Sequence, residues 1–280
     1  MNRLKLNSVI LTVKAKKMTG IMEMYKDVVP INAGTHSDIS IKRTNNFEFS
    51  RGINAIPILA AEFHSAAQDM AIVFTGDDDA AVPVALTGVK PNENLYLDIE
   101  GRWTGRYIPA FLRRYPFIFA RSDKDTMTLC LDESYSGVNR EGRGERLFDT
   151  DGNRMQYLEN MLDFVTQYQR QHIVSHEFCK RLAHLGLLEP ATLNVTDVDD
   201  EVRRLIGFQI INREKFKALP DVELLKMFRS DEIELCFLHM HSMQNLGIQL
   251  AKVKSVEPAE NISEDEALES LQVEAVESLN

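Results

Sequence analysis

Apolar side chains along this chain follow two periods, and one gives way to the other near the middle. In the first half the apolar stretches are short and bounded by turn residues. Ile39 and Ile41 alternate with polar neighbours, residues 71–75 (AIVFT) and 83–88 (PVALTG) read as buried strands, and residues 94–99 (NLYLDI) carry apolar positions at period two. Residues 56–67 run IPILAAEFHSAA, where Pro57 is expected to open a helix because the first helical position needs no N–H donor. In the second half, Met155, Leu158, Leu162 and Val165 form one stripe with Met161, Phe164 and Tyr168 beside it, a wide amphipathic helical face. Val174, Phe178, Leu182 and Leu185 continue at spacings of four, four and three until Gly186 and Pro190 stop the helix. The pattern leaves open whether a break near residues 169–172 divides it. Residues 204–211 (RLIGFQII) predict a strand, Asn212 a cap for a short helix over 213–219, and Pro220 with Asp221 the start of another. Ile233, Phe237 and Met240 recur at helical spacing, so residues 233–246 are expected to be helix.

These elements predict an α+β fold, with a mixed or mainly antiparallel sheet in the N-terminal half and packed helices in the C-terminal half. No linker rich in Pro, Gly or Ser separates the halves, and residues 137–146 (GVNREGRGER) read as a surface loop. One domain is expected over residues 24–256, after a flexible extension at 1–23 and before an acidic flexible tail at 257–280. The formal charge of −10 changes the picture mainly through its distribution. Residues 257–280 contain eight acidic residues and no basic one, so the body of the chain is close to neutral. That balance argues against nucleic acid as a partner, because such binding depends on neutralising phosphates with Lys and Arg. Cys130, Cys179 and Cys236 are dispersed, with neither zinc-site nor disulfide-framework spacing. The apolar stretch at residues 8–13 is too short for a signal-peptide core, and no run is long enough to span a membrane. Cytoplasmic residence is the default expectation, with signal-independent surface association also allowed.

The densest chemistry lies in residues 101–121, GRWTGRYIPAFLRRYPFIFAR. Five arginines, Arg102, Arg106, Arg113, Arg114 and Arg121, alternate with Trp103, Tyr107, Phe111, Tyr115, Phe117 and Phe119, and no acidic residue intervenes. Planar guanidinium forks suit carboxylate or phosphate, and adjacent rings supply a flat apolar wall. Arg106, Tyr107, Arg113 and Arg114 are therefore the candidate ligand-binding residues, for an anionic group or a peptide. The competing reading buries the rings and pairs the arginines with the chain's own carboxylates. Histidines supply weaker candidates. His176 begins HEFCK, in which Lys180 stands where a zinc protease needs its second histidine. His239 and His241 would chelate together from a strand but diverge by about 200° on a helix. Residues 149–153 (DTDGN) start like a calcium loop, yet Arg154 and Asn160 occupy its glycine and glutamate positions. Residues 76–79 (GDDD) suggest at most weak binding of a hard cation. Neither a dinucleotide fingerprint nor a G-x-S-x-G elbow is present, so no catalytic residue is assigned and no cofactor is expected.

Several of these segments together resemble the SapC family of bacterial surface-layer-associated proteins. The similarity is carried by residues 60–64 (AAEFH), 72–76 (IVFTG), 83–88 (PVALTG), 94–117 (NLYLDIEGRWTGRYIPAFLRRYPF), 129–133 (LCLDE), 147–152 (LFDTDG), 186–190 (GLLEP) and 219–225 (LPDVELL). The resemblance implies a non-enzymatic accessory or binding protein linked to surface-layer or outer-membrane processes. A surface-layer protein, an outer-membrane receptor or a modifying enzyme is the implied partner. The rival expectation is a metal-dependent oxygenase-like enzyme whose histidines are assembled by the fold.

Overall fold

A computed structural model describes residues 24–76, 80–121, 126–196 and 202–247. The expected extension at 1–23, the aspartates at 77–79 and the tail at 257–280 lie outside the described residues. The chain begins with β1 (Val28–Pro30), α1 (Ala33–His36), β2 (Ser40–Ile41), β3 (Ala55–Pro57), α2 (Phe63–Ala66), β4 (Ala71–Thr75) and β5 (Val82–Leu86). It continues through α3 (Ala110–Arg113), β6 (Phe117–Arg121), β7 (Met127–Asp132), β8 (Val138–Asn139) and β9 (Glu145–Arg146). The last part contains α4 (Gln156–His184), β10 (Leu188–Thr196), β11 (Val202–Ile211), α5 (Arg213–Lys217), α6 (Asp221–Arg229) and α7 (Glu232–Ser242). The strands form three antiparallel sheets, ordered β1-β7-β6, β10-β11-β4-β5-β3 and β8-β2-β9. The fold is α+β.

One helix ties the sheets together. α4 runs unbroken through residues 169–172, because no Gly or Pro interrupts it and its buried face continues through Leu158, Val165, Tyr168, Ser175, Phe178, Cys179 and Leu182. Leu158 and Val165 pack with Phe117 and Leu131 of the three-stranded β1-β7-β6 sheet. Phe178 and Leu182 pack with Ile72 and Phe74 of the five-stranded sheet. Tyr168 lies between, in a cluster with Phe111, Leu112, Ile118 and Cys130. At 29 residues the helix is roughly 43 Å long, enough to bridge both sheets.

Pro57 lies in β3 and does not open the expected helix, whereas α4 ends at His184, ahead of Gly186 and Pro190 as the sequence predicts, and Pro190 falls in β10. Both strands are edges of the five-stranded sheet, where one side of the backbone is unpaired and a missing N–H is tolerated. The hairpin β6–β7 was not signalled by alternation and is strand on both sides. Residues 94–99 are turns instead of the expected strand, with only Leu97 bridging Trp103. Polar side chains cause this: Asn94 Oδ1 accepts from Tyr96 N, and Asp98 Oδ1 accepts from Glu100 N and Arg102 N, so local bonds replace a ladder. In β11, Gly207 at φ +91° absorbs a register shift against β10, a conformation a side chain would strain.

Candidate functional site

The arginine-rich segment is anchored from beneath by one buried carboxylate. Glu62, in the turn that leads into α2, accepts from Leu59 N at 2.8 Å, from Ala110 N at 2.7 Å and from the Tyr107 hydroxyl at 2.7 Å. These bonds hold the start of α3 against the turn. Upstream, Asp69 Oδ2 accepts from Arg106 N at 2.6 Å, and Trp103 stacks on buried Tyr96 with ring centroids 5.3 Å apart. Gly105 lies at the crossing of these groups. A Cβ there would approach Tyr96 to 2.7 Å and Trp103 Nε1 to 2.8 Å, so glycine is required for the close approach.

Tyr107 connects the buried anchor to the surface. Its hydroxyl donates to Glu62 and accepts from Arg113 Nη2 at 3.1 Å. Burial first, and then the Glu62 charge, push its pKa up to about 12, so the ring stays neutral and keeps its proton for Glu62. Arg113 Nε donates to Ile108 O at 2.9 Å, and its guanidinium lies over the Tyr107 and Phe164 rings at 5.6 and 5.3 Å. The side chain is exposed and has no carboxylate within ion-pair distance among the described residues. With Nε and one Nη2 hydrogen engaged, the Nη1–Nη2 end of the fork is left to meet a ligand. Arg106 is exposed one residue from Tyr107 and likewise has no ion-pair partner among the described residues.

Arg114 points the other way. It is 8% exposed, and its guanidinium is held between the Phe111 and Tyr168 rings at 4.5 Å from each centroid. Its Nε finds no acceptor among the described residues. The segment therefore divides between the two sequence readings. Arg102 pairs with Asp98 at 2.7 Å and Glu100 at 2.8 Å, while the exposed side chains of Arg106 and Arg113 form no ion pair among the described residues and Arg114 joins the end of α3 to α4. The structure brings Tyr107 and Arg113 into contact, while the Arg114 guanidinium is buried between Phe111 and Tyr168.

The histidines have structural surroundings. His239 and His241 lie on helix α7, and only His239 is buried. His239 Nδ1 is 2.8 Å from Ile72 O, and its Nε2 accepts from Ile211 N at 3.1 Å. β4 and β11 pair at Phe74 and Gln209, so Ile72 and Ile211 would form the next rung of the ladder. The imidazole stands in that rung, and Ser242 Oγ accepts the remaining Ile72 N–H at 2.9 Å. Sequence reading missed this seam because a buried histidine and serine on a helix give no local signal of the strand gap they fill. His172, on α4, is held below its ordinary pKa by burial, then by Arg114 and His176. Asp149 accepts from Asp151 N, Asn153 N and Asn153 Nδ2, which makes residues 149–153 a turn before α4. The three thiols are buried, and burial pushes Cys130 up to about 11 and Cys236 up to about 12. Among the described residues no three His, Cys, Asp or Glu side chains gather as a metal-binding group.

The segment that builds this site also lies within a family match: the SapC family model covers residues 31–248. The chain belongs to the SapC family. The match includes Glu62, the whole of residues 101–121, α4 and the His239 seam; it begins one residue after β1 and covers β6, β7, the five-stranded sheet and the helix that packs against them. The chain matches no curated protein and no solved structure. Among the described residues, no helix of this SapC-family chain is long and apolar enough to cross a membrane.

Proposed function

We propose that this SapC-family chain is a non-enzymatic accessory or binding protein that recognises an anionic group on a partner through Arg113, with Tyr107 and Arg106 beside it and Arg114 fixing α3 from below. The observation that carries this reading is the fixed and unpaired Arg113 fork. Its orientation is set by Ile108 O and by a tyrosine anchored on buried Glu62, yet its outer edge meets no carboxylate among the described residues of an acidic chain. A long side chain ordered before binding loses less entropy when it captures a carboxylate or phosphate. Family membership supports a partner linked to the bacterial surface layer or outer membrane, either a structural protein, a receptor or a modifying enzyme.

The test is Arg113→Lys, which keeps the charge and removes the planar fork. Titration of the full chain with a glutamate-rich peptide and with inorganic phosphate is expected to show binding of at least one probe, weakened about tenfold by the substitution. The melting temperature is expected to move by less than about 2 °C, as for a surface change. Pull-down from the native cells is expected to recover a surface-layer, receptor or modifying-enzyme partner with the unaltered chain and to lose it with Arg113→Lys. Absence of binding to both probes, or affinity unchanged by the substitution, would overturn the reading.

A further inference from the structure

A second feature lies at the N-terminal end of α4, away from the residues that pack on the five-stranded sheet. A cavity of about 430 Å³ opens between the β6–β7 hairpin and the first turns of α4. Phe119, Met127, Leu129, Phe148, Leu158 and Leu162 supply most of its wall. Ile31 and Ala33, where β1 leads into α1, close one end. This space continues the core cluster that packs α4 on the three-stranded sheet, but it is left unfilled, and Met127 at its edge is 39% exposed. Asn32, Thr128 and Arg154 complete the lining, and the volume is within the range of small-molecule sites.

Arg154 is the charged residue in the lining among the described residues. Its side chain is 53% exposed and touches Glu159 only through Nη1 at 3.4 Å, so most of the guanidinium fork remains open to a ligand. Beside Phe119 and Phe148 the apolar lining is aliphatic, from Ile31, Ala33, Met127, Leu129, Leu158 and Leu162, which suits a flexible aliphatic chain, with the pliable Met127 thioether among them. We infer that this cavity binds a single-chain amphiphile with an anionic head, of the class of medium-chain fatty acids, its chain among the leucines and its carboxylate on Arg154. The site is separate from the Arg113 surface, and neither reading depends on the other.

The test is a titration of the full chain with decanoate and with decanol, following the methionine methyl signals by NMR, with Met127 assigned from the spectrum of Met127→Leu. Decanoate is expected to bind one to one, shift the Met127 methyl below about 1 mM, and bind more tightly than decanol. Arg154→Glu is expected to weaken decanoate about tenfold and leave decanol unchanged. Ala33→Trp, which fills one end of the cavity, is expected to abolish binding of both. If that variant fails to fold, the exposed Arg154 position decides alone. No Met127 shift, equal affinity for decanoate and decanol, or indifference to Arg154→Glu would each overturn the inference.

Discussion

His239 shows how a single side chain can stand in for a strand pair. Its neutral form with the proton on Nδ1 donates to Ile72 O and accepts from Ile211 N, whereas an imidazolium would set a second N–H against the Ile211 donor. Burial pushes its pKa down to about 4, opposed by the bond to Ile72. The folded value is depressed below that of an unfolded histidine, so the associated stability is fully present above about pH 6.5 and is lost as pH falls through about 4. The contribution is of order 3 kcal/mol by that difference. His239→Gln keeps polar atoms in the gap but cannot titrate, and it is expected to be less stable than the unaltered chain at pH 7 by about 1–3 kcal/mol. That deficit should narrow as pH falls from about 6.5 to 4, and melting curves of both proteins across the range measure it. A constant deficit would show that His239 does not carry the acid response. This residue also marks a limit of sequence reading. Helical spacing already separated His239 from His241 and removed them as a chelating pair, but the strand gap that His239 fills is a long-range fact, set by residues 72 and 211.

At the scale of elements, the joint between α3 and α4 combines apolar packing of Phe111 and Leu112 near Tyr168 with arginines on rings. Arg113 lies over Phe164 and Arg114 over Tyr168, so rings one helical turn apart on α4 receive the last residue of α3 and the one that caps it. The two arginines are expected to respond differently. Arg114→Ala removes a buried guanidinium from between two rings and leaves a void, and a loss of about 2–4 kcal/mol is expected in urea unfolding. Arg113→Lys, at the surface, is expected to cost less than about 0.5 kcal/mol. Equal losses would show that both arginines only secure the joint and would remove the basis for recognition by Arg113. The sequence made the density of arginine and aromatic residues plain, and α4 was legible from its apolar stripe. The division of labour was not legible, because it depends on whether the chain's carboxylates reach each guanidinium. Arg102 finds Asp98 four residues away, a local pairing, while Glu62 reaches Tyr107 and Ala110 only through the fold. The edge strand β3 was hidden for a related reason, since Pro57 reads as a helix start until the neighbouring strand is known.

At the scale of the whole molecule, the antiparallel sheets and the long helix form a unit whose last described contacts come from α7 and the turn after it. Asn245 Nδ2 donates to Ala67 O at 2.9 Å and to Met70 O at 3.0 Å, and Leu246 packs with Val73 and Phe208. These contacts fasten the end of α7 to the five-stranded sheet and to the turn after α2. The SapC match stops at residue 248, two residues beyond Leu246, so the family unit ends where this fastening ends. Residues 257–280 combine eight carboxylates with dispersed apolar positions and no basic partner of their own. Ending the chain after Val256 is therefore expected to leave the melting temperature within about 2 °C of the full chain and the urea m-value unchanged, since the m-value tracks the surface exposed on unfolding. The same truncation is expected to raise affinity of the Arg113 surface for an acidic peptide at low salt, because it removes most of the chain's net negative charge and with it long-range repulsion of the probe. Raising the ionic strength should erase that gain. A fall of more than about 5 °C in melting temperature on truncation would show that the acidic segment contributes to the folded unit, and a gain in affinity that survives high salt would show that it covers the Arg113 surface directly instead of acting through its charge.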